Sequence, residues 1–287
     1  MGNMEQLKHL YISPLEQCNL NCRMCYTAKT RNVLDKNAIL DFVDRYRAEN
    51  ELQTVTFCGG EVFLLPDFPG LINEIIERGI FVQVITNGTV DRLAGIERPN
   101  ECCLIVSLDG KEEYHDSNRG PGNYQRSLTL MKKALEMGFH VDVFSIVTKQ
   151  NLLEIEDFER ELAGELGFLP GITYHPRKPW AYLQGHPLNN ILGQVEGFDF
   201  LEMEEIEVLA GRKKVFPPRE LGCFQVSLMS DGLVYGCCEG IEPLGKKDDE
   251  VATLIENLKQ RIDYAGLKSC PLPCQGCVEA AFKCGLK

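Results

Sequence analysis

The chain lacks any stretch close to the roughly 18–20 consecutive apolar residues that a membrane-spanning helix requires. Its first residues, MGNMEQLKHL, have no apolar core of the kind a secretory signal carries. They begin like a myristoylation site, but the sixth residue is Gln6 rather than Ser or Thr, and the match fails. Positive charge is also in deficit. Lys and Arg number 30 against 42 Asp and Glu, a net charge of −12. Phosphate-rich partners need a basic face, so this balance argues against nucleic acid and anionic membranes as partners. Long internal repeats and low-complexity tracts are missing too. What is left reads as a cytoplasmic globular protein of 287 residues. At 44% hydrophobic it can bury one large domain and a small appendage.

Cysteine is abundant instead. There are 13, and ten fall into two groups: 18, 22, 25 and 223, 237, 238, 270, 274, 277, 284. Reducing conditions disfavour disulfides, so clustered cysteines there point to metal or catalysis. The other three, Cys58, Cys102 and Cys103, lie in apolar stretches and read as small buried hydrophobes.

From residue 8 to about 176, strand-like and helix-like segments alternate. Strands are expected at 9–13, 54–58, 81–86, 103–109, 140–147 and 172–176. They are short, β-branched and mostly continuous in apolar character, as in a parallel sheet covered on both faces. Helical spacing appears at Ile39, Phe42, Val43 and Tyr46, then at Leu71 and Ile75, and again at Tyr124, Leu128, Met131 and Leu135 behind Asn123. Residues 152–166 read as an acidic helix, and 87–102 only as a weak one. Six such units are too few for a closed eightfold barrel; a partial barrel or an open sheet fits. In either, ligands bind at the C-terminal ends of the strands. Residues 181–215 read as linker. Residues 223–238 read as a hairpin about Asp231-Gly232, followed by a helix over 250–263 and a cysteine-dense tail.

The first cysteine group, Cys18-x3-Cys22-x2-Cys25, follows the first strand directly. Soft thiolates favour zinc or iron–sulfur. A structural zinc site needs a fourth ligand, and no His or Cys follows within the next thirty residues. A cluster with one open iron suits three thiolates better. The motif resembles that of the radical SAM superfamily. That resemblance implies a [4Fe–4S] cluster on Cys18, Cys22 and Cys25, with S-adenosylmethionine (SAM) chelating the fourth iron. It implies reductive cleavage of SAM to a 5′-deoxyadenosyl radical that abstracts hydrogen from substrate, with a reductant such as flavodoxin or ferredoxin. The fold it implies is α/β: a partial (β/α)6 TIM barrel over 1–180, a linker or substrate-side region over 181–215, and a small cysteine-rich hairpin-plus-helix domain over 216–287.

Other segments match the family's motifs in order. CGGEVFL (58–64) resembles its Gly-Gly-Glu motif, implying that Gly59, Gly60 and Glu61 hold the SAM amino group. Thr86 and Asn87 resemble residues near the methionine and ribose, although an ordinary Asn-Gly turn reads equally well. Ser107 and Asp109 resemble ribose and carboxylate contacts, and Arg119 an arginine that pairs the SAM carboxylate. Val147 and Tyr26 are either adenine contacts or plain core.

The second cysteine group resembles the auxiliary-cluster domain called SPASM, or its shorter form, Twitch. The full seven-cysteine pattern is incomplete, which implies one auxiliary [4Fe–4S] cluster on Cys223, Cys237, Cys274 and Cys277. Cys238, Cys270 and Cys284 are the substitutes. By local spacing alone a zinc ribbon competes. The substrate class expected is a small molecule or a peptide, with crosslinking, epimerisation or oxidation as the chemistry. A peptide- or protein-modifying maturase is the alternative. An electron carrier or zinc-stabilised binding protein without SAM chemistry is the rival from another class. Tyr174 and His175, ending the sixth strand in YHPRKPW, are the candidates for substrate handling.

Overall fold

The computed structural model describes residues 5–25, 27–177, 195–215, 226–236 and 243–264. Six parallel strands run β1 (His9–Ser13), β2 (Thr54–Phe57), β3 (Phe81–Thr86), β4 (Cys102–Ser107), β5 (His140–Val147) and β6 (Gly171–Pro176), each beside the one before it. Between them lie α1 (Lys36–Glu49), α2 (Phe68–Glu77), α3 (Glu112–Arg119), α4 (Asn123–Glu136) and α5 (Ile155–Leu166). The weak helix expected over 87–102 is two single 3-10 turns, at Leu93–Gly95 and Pro99–Glu101.

Strand register decides between barrel and open sheet. Leu10, Val55, Val82, Leu104, Val141 and Ile172 fall on one side of the sheet and join the buried faces of the helices in one core. The alternate positions include Tyr11, Gln83, Ser107, Phe144, Thr173 and His175, and none belongs to that core. Helices α1, α2, α4 and α5 therefore cover the same face, as in a barrel, rather than the two faces of a doubly wound sheet. The fold is a partial barrel whose inner wall is largely polar.

Beyond β6, α6 (Met203–Arg212) occupies part of the region read as linker. Its start is held by one half of a capping box: the Glu202 N–H donates to the Glu205 carboxylate at 2.7 Å. Residues 214 and 215 then cover the open edge of β6, where Tyr174 N–H donates to Lys214 O at 2.8 Å.

The expected hairpin is present as β7 (Val226–Met229) and β8 (Leu233–Tyr235), with Gly232 at φ +79° in the turn. Its first arm lies parallel to β1, so the sheet order is β6-β5-β4-β3-β2-β1-β7-β8-β9. The last strand, β9 (Pro243–Lys246), precedes α7 (Val251–Tyr264), which packs beside α1. The sheet thus continues without a break from the core into the hairpin.

Candidate active site

The first cysteine group lies on a loop whose neck is closed by backbone. Leu34 N–H donates to Pro14 O at 2.8 Å, and Leu15 and Val33 form an antiparallel bridge. The strand exits above the barrel hold the rest of the loop in place. Gly60 N–H donates to Leu15 O and Glu61 N–H to Gln17 O, both at 2.9 Å. A Cβ on Gly60 would stand 2.0 Å from Gln17 O, and one on Gly59 2.3 Å from Leu15 O, with Gly59 at φ +130°. The glycine pair is required first by this backbone-to-backbone approach. With the Gly60 and Glu61 amides spent on the loop, what the Gly-Gly turn offers a ligand's ammonium is carbonyl oxygen.

Glu61 is fully buried and faces the end of β3. Its carboxylate accepts from Thr86 Oγ1 and Asn87 N–H at 2.8 Å each, and from Phe63 N–H at 3.2 Å. Glu61 is thus committed to the protein and orients the Asn87 turn. Asn87 in turn reaches the loop. Its amide donates to Asn19 Oδ1 at 2.9 Å and lies 3.7 Å from the Cys18 sulfur, while Asn19 donates to Thr89 Oγ1 at 2.8 Å.

Burial pushes the Glu61 carboxyl up to about 7, against the pull of its three hydrogen bonds and the Arg119 charge. Its folded-state value lies above the ordinary 4.5. Between those two pH values the folded chain keeps a proton that the unfolded chain has lost. Stability from this site is greatest at the acid end and falls by about 3 kcal/mol as pH rises through 7. Unfolding free energies of the metal-free chain at pH 5 and pH 8 should therefore differ more in the native protein than in Glu61→Gln. Equal slopes would show that Glu61 carries no proton.

The third anchor is α3. Asp109, with no exposed surface, accepts from Arg119 Nε at 2.6 Å and Nη2 at 2.9 Å, from Asn118 Nδ2 at 2.8 Å and from Ile146 N–H at 3.1 Å. This saturates Asp109 and fixes Arg119, whose charge faces Cys22 and Cys25. The Arg119 pairing holds the Asp109 carboxyl below the usual range despite its burial. The Cys22 thiol is pushed up to about 11 by burial, with Arg119 opposing and Cys25, Asp109 and Cys18 adding to the rise. Loading a metal at Cys22 must therefore displace its proton.

Asn118 was not singled out from the sequence. Besides holding Asp109, it accepts the Met24 N–H on Oδ1 at 3.0 Å, and its carbonyl accepts the Arg23 N–H at 2.9 Å. Its signal was position alone, beside Arg119 on the same helix. Asn118→Ala strips a buried acceptor and donor together and should cost about 2 kcal/mol, read as a lower unfolding midpoint. Faster amide exchange at Met24, whose acceptor is the side chain, should accompany it; unchanged exchange there would remove Asn118 from this role.

Strand register corrects the expectation for Tyr174 and favours the plain-core alternative for Val147. Tyr174 lies on the helix side of β6, and its hydroxyl donates to Glu159 of α5 at 2.9 Å. Val147 likewise lies in the helix-side core with no exposed surface. Neither side chain reaches the barrel interior. His175 and Ser107 do lie on the inner wall, half-buried, with the His175 ring 4.4 Å from Phe144. Tyr26 and all seven cysteines of the second group lie outside the described residues.

The radical SAM superfamily model matches residues 12–162, more than half the chain. The chain belongs to the radical SAM superfamily. Its cofactors are accordingly a [4Fe–4S] cluster and SAM. The donor set fits this: three half-buried soft thiols, no histidine, one neighbouring guanidinium. Among the described residues no three Cys, His, Asp or Glu side chains are grouped to hold one metal ion.

Among radical SAM relatives, the subtilosin biosynthesis protein AlbA of Bacillus subtilis is 27% identical over 162 residues, 54% of this chain and 36% of AlbA. The GTP 3′,8-cyclase of Aquifex aeolicus is 24% identical over 80% of this chain and 82% of the cyclase. Among solved structures, Streptococcus suis SuiB bound to its precursor peptide SuiA superposes with a TM-score of 0.66 at 14% identity, over 85% of this chain and 63% of SuiB. Native anSMEcpe with bound AdoMet gives 0.67 at 18% identity, over 88% and 82%. These structural likenesses establish the partial-barrel fold. The chain thus spans little more than a third of AlbA. No described helix is long and apolar enough to cross a membrane.

Proposed function

We propose that this chain cleaves SAM reductively and uses the resulting radical to abstract hydrogen from a peptide substrate. The observation that carries the reading is the convergence at the strand ends of Cys18, Cys22 and Cys25 with Arg119 and Asn87. When bound, the reduced cluster and SAM supply one-electron cleavage of the sulfonium and a 5′-deoxyadenosyl radical.

The chain's own residues supply position and shelter. Arg119, aimed by Asp109, offers a guanidinium to a carboxylate, a bidentate match. The carbonyls of Gly59 and Gly60 receive the ammonium. Asn87 borders Cys18. The inner wall beneath, with Ser107, Phe144 and His175, receives the substrate and keeps bulk water from the reacting carbon. A flavodoxin or ferredoxin is the electron donor.

The peptide reading takes support from SuiB and anSMEcpe, both solved with bound peptides. A small-molecule substrate is the second reading, favoured by the GTP 3′,8-cyclase, the relative matched over most of both lengths. Candidate peptides and nucleotides incubated with the reconstituted protein distinguish them. Deuterium passing from labelled peptide into 5′-deoxyadenosine is the result expected; transfer from a nucleotide alone would overturn the peptide assignment.

One auxiliary [4Fe–4S] cluster is part of the proposal, on Cys223, Cys237, Cys274 and Cys277, with Cys238, Cys270 and Cys284 as substitutes. The domain boundaries at about 180 and 216 belong to the same proposal. About eight irons per chain are expected, and about four would remove the second cluster.

A further inference from the structure

We propose that Glu16 is a positioning residue that clamps both ends of the cysteine loop to each other and to the β7–β8 turn. Glu16 lies two residues before Cys18 and is buried to 1% exposure. No part of the proposed chemistry uses it.

A buried carboxylate is costly unless its oxygens are received by donors. Here three hydroxyls from three separate segments supply them. Ser13, ending β1, donates to Oε1 at 3.2 Å. Thr30, on the far limb of the cysteine loop, donates to Oε2 at 3.2 Å. Ser230, from the β7–β8 turn and 214 positions away in sequence, donates to the same oxygen. A carboxylate can accept these three hydroxyls on its two oxygens, whereas an amide of that size has one accepting oxygen and an apolar side chain none.

The register explains how Ser230 arrives. β7 is parallel to β1 with Met229 opposite Ser13, so the next residue of the turn meets the chain just beyond β1. The loop is thereby fastened at three places. Asn118 holds its tip and Asn87 its Cys18 side; Glu16 ties its neck to the hairpin. In sequence that hairpin is flanked by Cys223 and Cys237, so the clamp joins the two cysteine-bearing parts of the chain.

The inference rests on the reading that Cys18, Cys22 and Cys25 hold the SAM cluster, and its test separates the two. Wild type, Ser230→Ala, Ser230→Thr and Glu16→Ala are reconstituted anaerobically as full chains. Two quantities are followed: amide exchange over residues 18–25, and the change that SAM makes in the electron paramagnetic resonance of the reduced cluster. Ser230→Ala and Glu16→Ala should speed exchange over 18–25 by about tenfold, as expected for loss of a hydrogen bond to a charged group. Both should need about tenfold more SAM for the full spectral change. Ser230→Thr, which keeps the hydroxyl, should restore both. If Glu16→Ala does not fold, the Ser230 pair decides. Wild-type exchange and wild-type SAM response in Ser230→Ala would overturn the clamp. If wild type shows no SAM-responsive cluster, the cluster reading fails, while the exchange comparison still judges the clamp.

Discussion

Asp109→Asn is expected to destabilise the fold by about 3–5 kcal/mol, the cost of leaving a buried charge without its partner. For a chain of this size that lowers the unfolding midpoint by roughly 10 °C. The substitution has nearly the same volume, so packing does not cause the loss. What disappears is the charge that holds Arg119 through two bonds and organises Asn118 and Ile146 N–H around it. Thermal unfolding of the metal-free chain measures this without any cofactor. The double variant Asp109→Asn, Arg119→Met should recover part of the loss, because it removes the stranded guanidinium. If the single variant unfolds within 2 °C of wild type (a shift of under about 1 kcal/mol), the pair does not hold the site together. SAM affinity should fall in the single variant as well, since Arg119 loses its aim.

The largest effect on chemistry is expected from Cys22→Ala. This thiol is half-buried and lies in the field of Arg119, Cys25 and Cys18. Removing it takes away one of the three proposed protein ligands and leaves the fold's core untouched, because Cys22 is no part of it. Iron should drop by about four per chain on reconstitution, the content of one cubane. 5′-deoxyadenosine should then fall below detection. Cys58→Ala is the comparison, since Cys58 lies outside the three-cysteine spacing; it should keep both iron and SAM cleavage. Retained cleavage in Cys22→Ala would remove this residue from the ligand set.

The positions of the six parallel strands and five of the helices were legible because apolar period and length are local signals. Which face each strand residue takes was not. Strands such as Val141–Val147 are apolar on both sides, so composition does not reveal that Val143 and Val147 meet helices while Phe144 and Ile146 line the barrel. Tyr174 was misplaced for that reason. Its neighbour Glu159 on α5, 15 positions earlier, decides its direction, and a contact between two elements is invisible in either alone.

The same limit applies to Glu61 and Asp109. The motifs marked them as important, but the buried hydrogen bonds by which they support Asn87 and Arg119 carried no signal. The pairing of β7 with β1 had no local signature at all. It is a contact more than 200 residues long, and it brings Ser230 to Glu16. Asn118 and Glu16 carry no motif, and only their buried hydrogen bonds mark them.

The most direct test of the account is product formation by the reconstituted chain. Protein loaded with iron and sulfide under anaerobic conditions is given SAM and dithionite, and 5′-deoxyadenosine is quantified beside Cys22→Ala. Formation by the native chain and none by the variant is the result predicted. Absence of 5′-deoxyadenosine from the native chain, with the cluster shown spectroscopically to be intact, would contradict it.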